Sequence, residues 1–92
     1  MGWRVSKRKK RIEKLRRGGD FTADELDTIL VHDLGCVARQ QGTSHRVYRH
    51  DDGRKVTIPQ DRPHIKRIYV KEVLRTFEAE IEAIESEEEH EQ

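Results

Sequence analysis

The run Gly42-Thr43-Ser44-His45-Arg46-Val47-Tyr48-Arg49-His50 holds the residues of this chain best suited to chemistry. The turn Asp51-Asp52-Gly53 and the run Arg54-Lys55-Val56-Thr57-Ile58-Pro59 follow it. His45 stands at the start of a hairpin strand, behind a glycine-containing turn, among arginines and lysines. Histidine is the side chain that exchanges a proton near neutral pH. In the presence of fixed positive charge it suits cleavage of an RNA phosphodiester. A base takes the 2′-hydroxyl proton, or an acid protonates the leaving 5′-oxygen. Cations then stabilise the charge that develops on phosphorus; Arg46 and Lys55 are the candidates. Gly42, lacking a side chain, lets the backbone approach a phosphate closely.

Other chemistries find less support. Strand alternation sets His45, Val47 and Arg49 on one face and Ser44, Arg46, Tyr48 and His50 on the other. That alternation speaks against a His45–His50 acid/base pair. If Val47 is core, His45 lies at the rim of the helix-facing side and Arg46 must reach around to it. The five histidines and the single Cys36 show no metal-ligand spacing, so no metal and no cofactor is expected. No phosphate loop, dinucleotide fingerprint or nucleophile elbow is present. Tyr48 has two readings, stacking on a base or packing at the sheet edge. Lys66, Arg67 and Lys71 open a helix, where anions bind readily; the plainer reading is a solvated basic turn.

The elements that position these residues are legible. Ser6 can cap a short basic helix over 7–17, ended by Gly18-Gly19, with Val5, Ile12 and Leu15 as a thin apolar stripe. Thr22 and Glu25 form a capping box, with Phe21 and Leu26 spaced as a hydrophobic staple. Leu26, Ile29, Leu30 and Leu34 line one face, and Gly35 ends a helix over 23–34. Strands are predicted over 36–40, 44–50 and 54–58, with Asp52-Gly53 marking a hairpin and Pro59 closing the last strand. Residues 60–66 read as a loop. Val70, Val73, Leu74, Phe77, Ile81 and Ile84 then recur at helical spacing, predicting one helix over 68–86. At 1.5 Å per residue it is roughly 28 Å long, so Ile81 and Ile84 overhang a small sheet. The order helix–strand–strand–strand–helix predicts an α+β domain: a three-stranded antiparallel sheet with both helices on one face.

The chain has 92 residues, 40% of them charged and 33% hydrophobic. That allows one domain with a modest core. No apolar run is long enough to cross a bilayer, and no apolar segment of a secretory leader follows the first residues. The lone cysteine cannot form an internal disulfide, which fits a reducing cytoplasm. The net charge of +1 conceals an asymmetry: residues 1–17 carry nine cations and one glutamate, while 78–92 carry eight glutamates and no Lys or Arg. The basic end can meet nucleic acid or pair with the acidic end. The expectation is that it packs along the C-terminal half of the last helix, with Ile12 and Leu15 covering Ile81 and Ile84.

Gly42, Ser44-His45, the aromatic Tyr48, Asp52-Gly53 and Val56-Thr57-Ile58-Pro59 together resemble the signature of the HicA toxins, small bacterial mRNA interferases. Pro63 through Lys71 is similar to the loop and helix start of a subgroup. The resemblance covers roughly 20–77 and implies a double-stranded-RNA-binding-like fold. It implies a ribonuclease toxin with His45 as its catalytic residue and a cognate HicB-like antitoxin protein as its inhibitor; the absence of clustered ligands predicts that it is metal-independent, and Gly42, Ser44, Arg46, Tyr48, Lys55, Lys66, Arg67 and Lys71 are the candidate RNA-binding set. The implied division is a basic extension over 1–19, the HicA-like domain over 20–86 and an acidic tail over 87–92. The rival readings are a non-catalytic module that holds structured RNA and a small protein that docks through its last helix.

Overall fold

The computed structural model describes residues 6–90, with side chains described as far as Glu87. Val5 of the first apolar stripe and residues 91–92 of the acidic tail lie outside the described residues. Helix α1 spans Lys7–Arg17. The Ser6 hydroxyl accepts from Lys9 N at 3.0 Å, which satisfies one of the helix's free N–H groups. At the other end Gly18 sits at φ 74°. Gly18 N donates to Leu15 O and Gly19 N to Lys14 O, both at 3.1 Å, the paired bonds of a Schellman ending.

Helix α2 spans Ala23–Thr28 and opens with both bonds of the capping box between Thr22 and Glu25. Phe21 and Leu26 are buried, as a staple requires. The predicted helix over 23–34 does not stay α-helical. Its last part, Ile29–Asp33, is a π-helical turn in which Leu34 N reaches back five residues to Ile29 O.

Three strands follow: β1 Val37–Gln41, β2 His45–Arg49 and β3 Lys55–Pro59, in the antiparallel order β1-β2-β3. The strands are each within a residue or two of the predicted spans. Tyr48 pairs with Val56, and Arg46 with Ile58. Tyr48, Val56 and Ile58 are buried in one cluster with residues of every helix. All helices therefore lie on that one face of the sheet, which is the α+β arrangement expected. The alternative in which Val47 is core is corrected: Val47 and His45 lie on the open face. Arg46 does not reach around to His45 but points with Tyr48 into the helix layer.

The last predicted helix is two. Helix α3 spans Arg67–Thr76 and α4 spans Glu78–His90, with Phe77 between them at φ −113° and ψ 27°. The break has a visible cause. Arg54 Nη1 donates to Thr76 O at 2.6 Å, so a carbonyl that would continue the helix ladder is held by a guanidinium instead. The same guanidinium binds the Glu80 carboxylate in the first turn of α4, and Phe77 is fully buried beneath it.

Helix α1 docks on α4, as expected from the charges and the overhang. Ile12, Leu15, Ile81 and Ile84 are all buried in the shared core. Arg16 reaches Glu78 and Glu85, each at 2.8 Å, and Arg8 reaches Glu87 at 3.1 Å. Exposed ion pairs of this kind contribute under about 1 kcal/mol each. Full burial of one Leu or Ile contributes about 1.5–3 kcal/mol, so the apolar contact dominates. Arg11 also grips Asp33 with two bonds of 2.7 Å, a bidentate geometry that fixes α1 against the π turn. That hydrogen-bonded pairing raises the already high pKa of Arg11.

Candidate active site

His45 is the first residue of β2 and is exposed. The three-residue turn before it, 42–44, has Gly42 at φ 67°. A side chain there would meet nothing within 4 Å, so the backbone angle and not crowding is what favours glycine. Ser44 O accepts from Gln60 N at 2.7 Å, which fastens this turn to the exit from β3. Ser44 Oγ lies 3.2 Å from His45 Nδ1. Nε2 makes no contact with a protein partner among the described residues. One ring nitrogen is thus steadied while the other faces solvent. If Nδ1 accepts from the serine, Nε2 carries a proton to give. If Nδ1 donates, Nε2 has a lone pair to receive one.

The open face is a small grid, because the register sets residues side by side. Gln41, His45 and Pro59 form the first row. Arg39, Val47 and Thr57 form the second, and Val37, Arg49 and Lys55 the third. Successive rows are two residues apart along each strand, about 6.5–7 Å. Lys55 is therefore about 13 Å along the sheet from His45, too far to share one phosphate. A shallow depression of about 430 Å³ lies on the second and third rows and reaches Gln41 in the first.

The remaining candidates divide. Arg46 Nε is 3.0 Å from Asp27 Oδ1. It has no hydrogen bond along its N–H direction, so the contact is a charge pairing across the helix layer. Its Nη1 donates to Gln40 Oε1 at 3.4 Å. Tyr48 is withdrawn from the RNA-binding set: the residue is only 1% exposed and its hydroxyl donates to Asp27 Oδ1 at 2.7 Å. Burial, and then that hydrogen bond, push the phenol well above its ordinary pKa. Lys66 occupies the N-cap position of α3 without capping it. Arg67 is 3.8 Å from Asp20 and mostly exposed. Arg17, Arg67 and Lys71 border a depression of about 140 Å³ between the end of α1 and α3. The structure thus brings His45, Gly42 and Ser44 together, and separates them from Arg46, Tyr48 and Lys55.

Sequence reasoning missed three groups. Arg39 shares the open face with His45 and Arg49; its alternation with Val37 was a signal, but the buried face was unknown. Asp27 is the shared partner of Tyr48 and Arg46, a tertiary contact with no sequence signal. His50, Asp52 and Glu80 bring three metal-capable atoms within 4.8 Å of one another, against the expectation of no such grouping. A cation already lies among them: Arg54 binds Asp52 at 2.6 Å and also binds Glu80. Hydrogen bonding to Arg54 holds the Asp52 carboxyl far below its usual range and lowers that of Glu80.

A three-stranded antiparallel meander under one layer of helices, with an exposed histidine beside a glycine turn, defines a small α+β domain of the double-stranded-RNA-binding-like kind. Residues 23–78 match the family described as the HicA toxin of bacterial toxin-antitoxin. The match spans more than half of the chain, and the chain belongs to that family. Its members are toxins of bacterial toxin–antitoxin systems and generally cleave mRNA. The match begins at α2 and ends at the first residue of α4, so α1 and nearly all of α4 lie outside it. Comparison with curated proteins and with solved structures finds no match.

Proposed function

We propose that this protein cleaves mRNA without a metal ion, with His45 as the proton-transfer group, and that a cognate HicB-like antitoxin protein holds it inactive. The observation that carries the reading is the environment of His45: exposed, steadied at Nδ1 by Ser44, and open at Nε2. In the proposed step the RNA 2′-oxygen bonds to phosphorus and the P–O5′ bond breaks. The proton leaves the 2′-oxygen and one arrives on the 5′-oxygen, with His45 serving one end of that transfer and water the other. No redox partner is needed. Gly42 and Ser44 hold the scissile phosphate, and Lys66, Arg67 and Lys71 contact the backbone further away. The protein acts in the cytoplasm, where mRNA and antitoxin both are. Among the described residues no helix is long and apolar enough to cross a membrane.

His45→Ala tests the reading. Cleavage of RNA should fall by about 10²–10⁴-fold, the usual size of such a contribution, and growth inhibition on expression should vanish while the fold persists. Toxicity that survives in a folded His45→Ala protein sinks the assignment. Cleavage should also continue in excess EDTA; activity lost to the chelator and restored by one metal would overturn the metal-free step. One observation favours the rival, a module that holds RNA without cutting it: neither Arg46 nor Lys55 stands beside His45 to stabilise the transition state. An uncut RNA that stays tightly bound to the wild-type protein would decide for that rival.

A further inference from the structure

The open face of the sheet carries Arg39, Arg49 and Lys55 and no acidic residue. None of their side chains makes a hydrogen bond or ion pair with another described residue. This is unlike Arg11, Arg16, Arg46 and Arg54, each of which meets a carboxylate. Between the free cations lie Val37, which is 68% exposed, and the partly exposed Val47. An apolar side chain left uncovered beside unpaired cations is a surface still lacking its complement. The face is also small: three rows about 6.5–7 Å apart and three strands about 4.8 Å apart.

We infer that this face is a track for single-stranded RNA, in which Arg39, Arg49 and Lys55 hold the phosphates next to the one at His45. The inference rests on the reading of His45 as the cleavage residue and extends it along the sheet. A strand entering His45 in the first row and running along β2 passes Arg39 one row on. It passes Arg49 and Lys55 two rows on. Unpaired bases then meet Val37 and Val47. A duplex keeps its bases turned inward and has no use for that apolar ground. Beyond His45 the face has no aromatic ring, so the track reads backbone charge and not sequence. The same absence makes its affinity strongly salt-dependent.

The test measures binding of a labelled single-stranded RNA of mixed sequence to full-length His45→Ala protein, which does not cut its probe. Three phosphate contacts contribute a salt slope of about −2, at about 0.7 per phosphate on a single strand. Arg39→Gln, Arg49→Gln and Lys55→Gln together should remove that share. The affinity then loses about 20-fold of its fall between about 50 and about 200 mM salt. These side chains have no hydrogen-bond or ion-pair partner among the described residues, so the melting temperature should not move. Lys7→Gln, Lys10→Gln and Arg75→Gln together, exposed cations of α1 and α3 in the helix layer, should leave the slope in place. The inference is overturned if the helix-side triple removes the slope and the sheet triple does not. A duplex that binds as tightly as the single strand also overturns it, as does a sheet triple that binds RNA normally and loses only a purified antitoxin. Cleavage by the wild-type protein is scored separately. A protein that binds along the track and never cuts refutes the nuclease reading and leaves the track standing. A protein that cuts equally well with all three cations removed does the reverse.

Discussion

Neighbouring residues of β2 end in opposite circumstances on the two faces of the sheet. On the covered face Arg46 is paired with Asp27, Tyr48 is buried with its hydroxyl on the same carboxylate, and His50 lies between Asp52 and Glu80 with its ring 5.8 Å from Phe77. On the open face the Arg49 side chain has no hydrogen-bond or ion-pair partner among the described residues, Val47 is partly exposed, and the His45 ring meets Ser44 Oγ. The residue types are nearly matched; the surroundings are not. Cations under the helices are consumed in holding the domain together, because a polar group taken out of water must be satisfied. Of the two faces, the uncovered one keeps charge and a proton carrier available for a ligand. The lesson is that a basic residue near a catalytic candidate in sequence is informative only once its face is known.

The sharpest way to break this comparison is to truncate one residue on each face. Tyr48→Ala should cost about 3–5 kcal/mol, the range for removing a large buried aromatic. Val47→Ala should change stability by less than about 0.5 kcal/mol, as surface substitutions usually do. Urea unfolding of both variants gives the answer, and equal losses would mean the face assignment is wrong.

Next in size is the dock between α1 and α4. Leu15→Ala should cost about 2–5 kcal/mol, and deletion of residues 1–17 should lower the melting temperature and expose α4 to proteolysis. A deletion that leaves both unchanged, yet weakens RNA binding and its salt dependence, would show that the basic segment serves RNA and not the fold.

Acid should act on the paired regions and spare the open face. Glu25, Asp52, Glu78 and Glu80 all have pKa values lowered in the fold, by hydrogen bonds with the Thr22 backbone, Arg54, Arg16 and Arg54 respectively. Depressed carboxylates stabilise fully above their unfolded pKa, near 4, and lose that contribution as pH falls toward the folded value. The melting temperature should therefore drop from about pH 5 downward, and Arg54→Gln should flatten the drop. A profile that rises on acidification contradicts the pairing.

The smallest effect is chemical. Burial pushes the Cys36 thiol up to about 11, and the side chain is almost wholly covered. Alkylation near neutral pH should be slow in the native protein and fast in denaturant. Rapid native labelling would mean the region between the π turn and β1 opens readily.

Much of this molecule is written locally. The caps of α1 and α2, the staple, the three strands and the helical period through Ile84 all rest on residues within a few positions of one another, where backbone hydrogen bonding and side-chain shape decide. The motif around His45 is equally local, and so was the family resemblance. The opposite charges of the two ends, with four uncovered apolar residues between them, were enough to foresee the docking of α1 on α4. Three things were not in reach. The face of β2 depends on register: a two-residue Asp52-Gly53 turn would set Arg49 opposite Val56, whereas the turn here is Asp51-Asp52-Gly53, with Gly53 at φ 96° and Arg49 opposite Lys55. One residue of slip exchanges the two faces, so the sequence of β2 by itself could not say which side His45 occupies. The break at Phe77 depends on Arg54, 23 positions earlier, reaching Thr76 O. The pairing of Arg46 and Tyr48 with Asp27 joins a strand to a helix far from it in the chain. Sequence determines which groups can bond; only the folded arrangement decides which of them are spent on one another and which are left to meet a ligand.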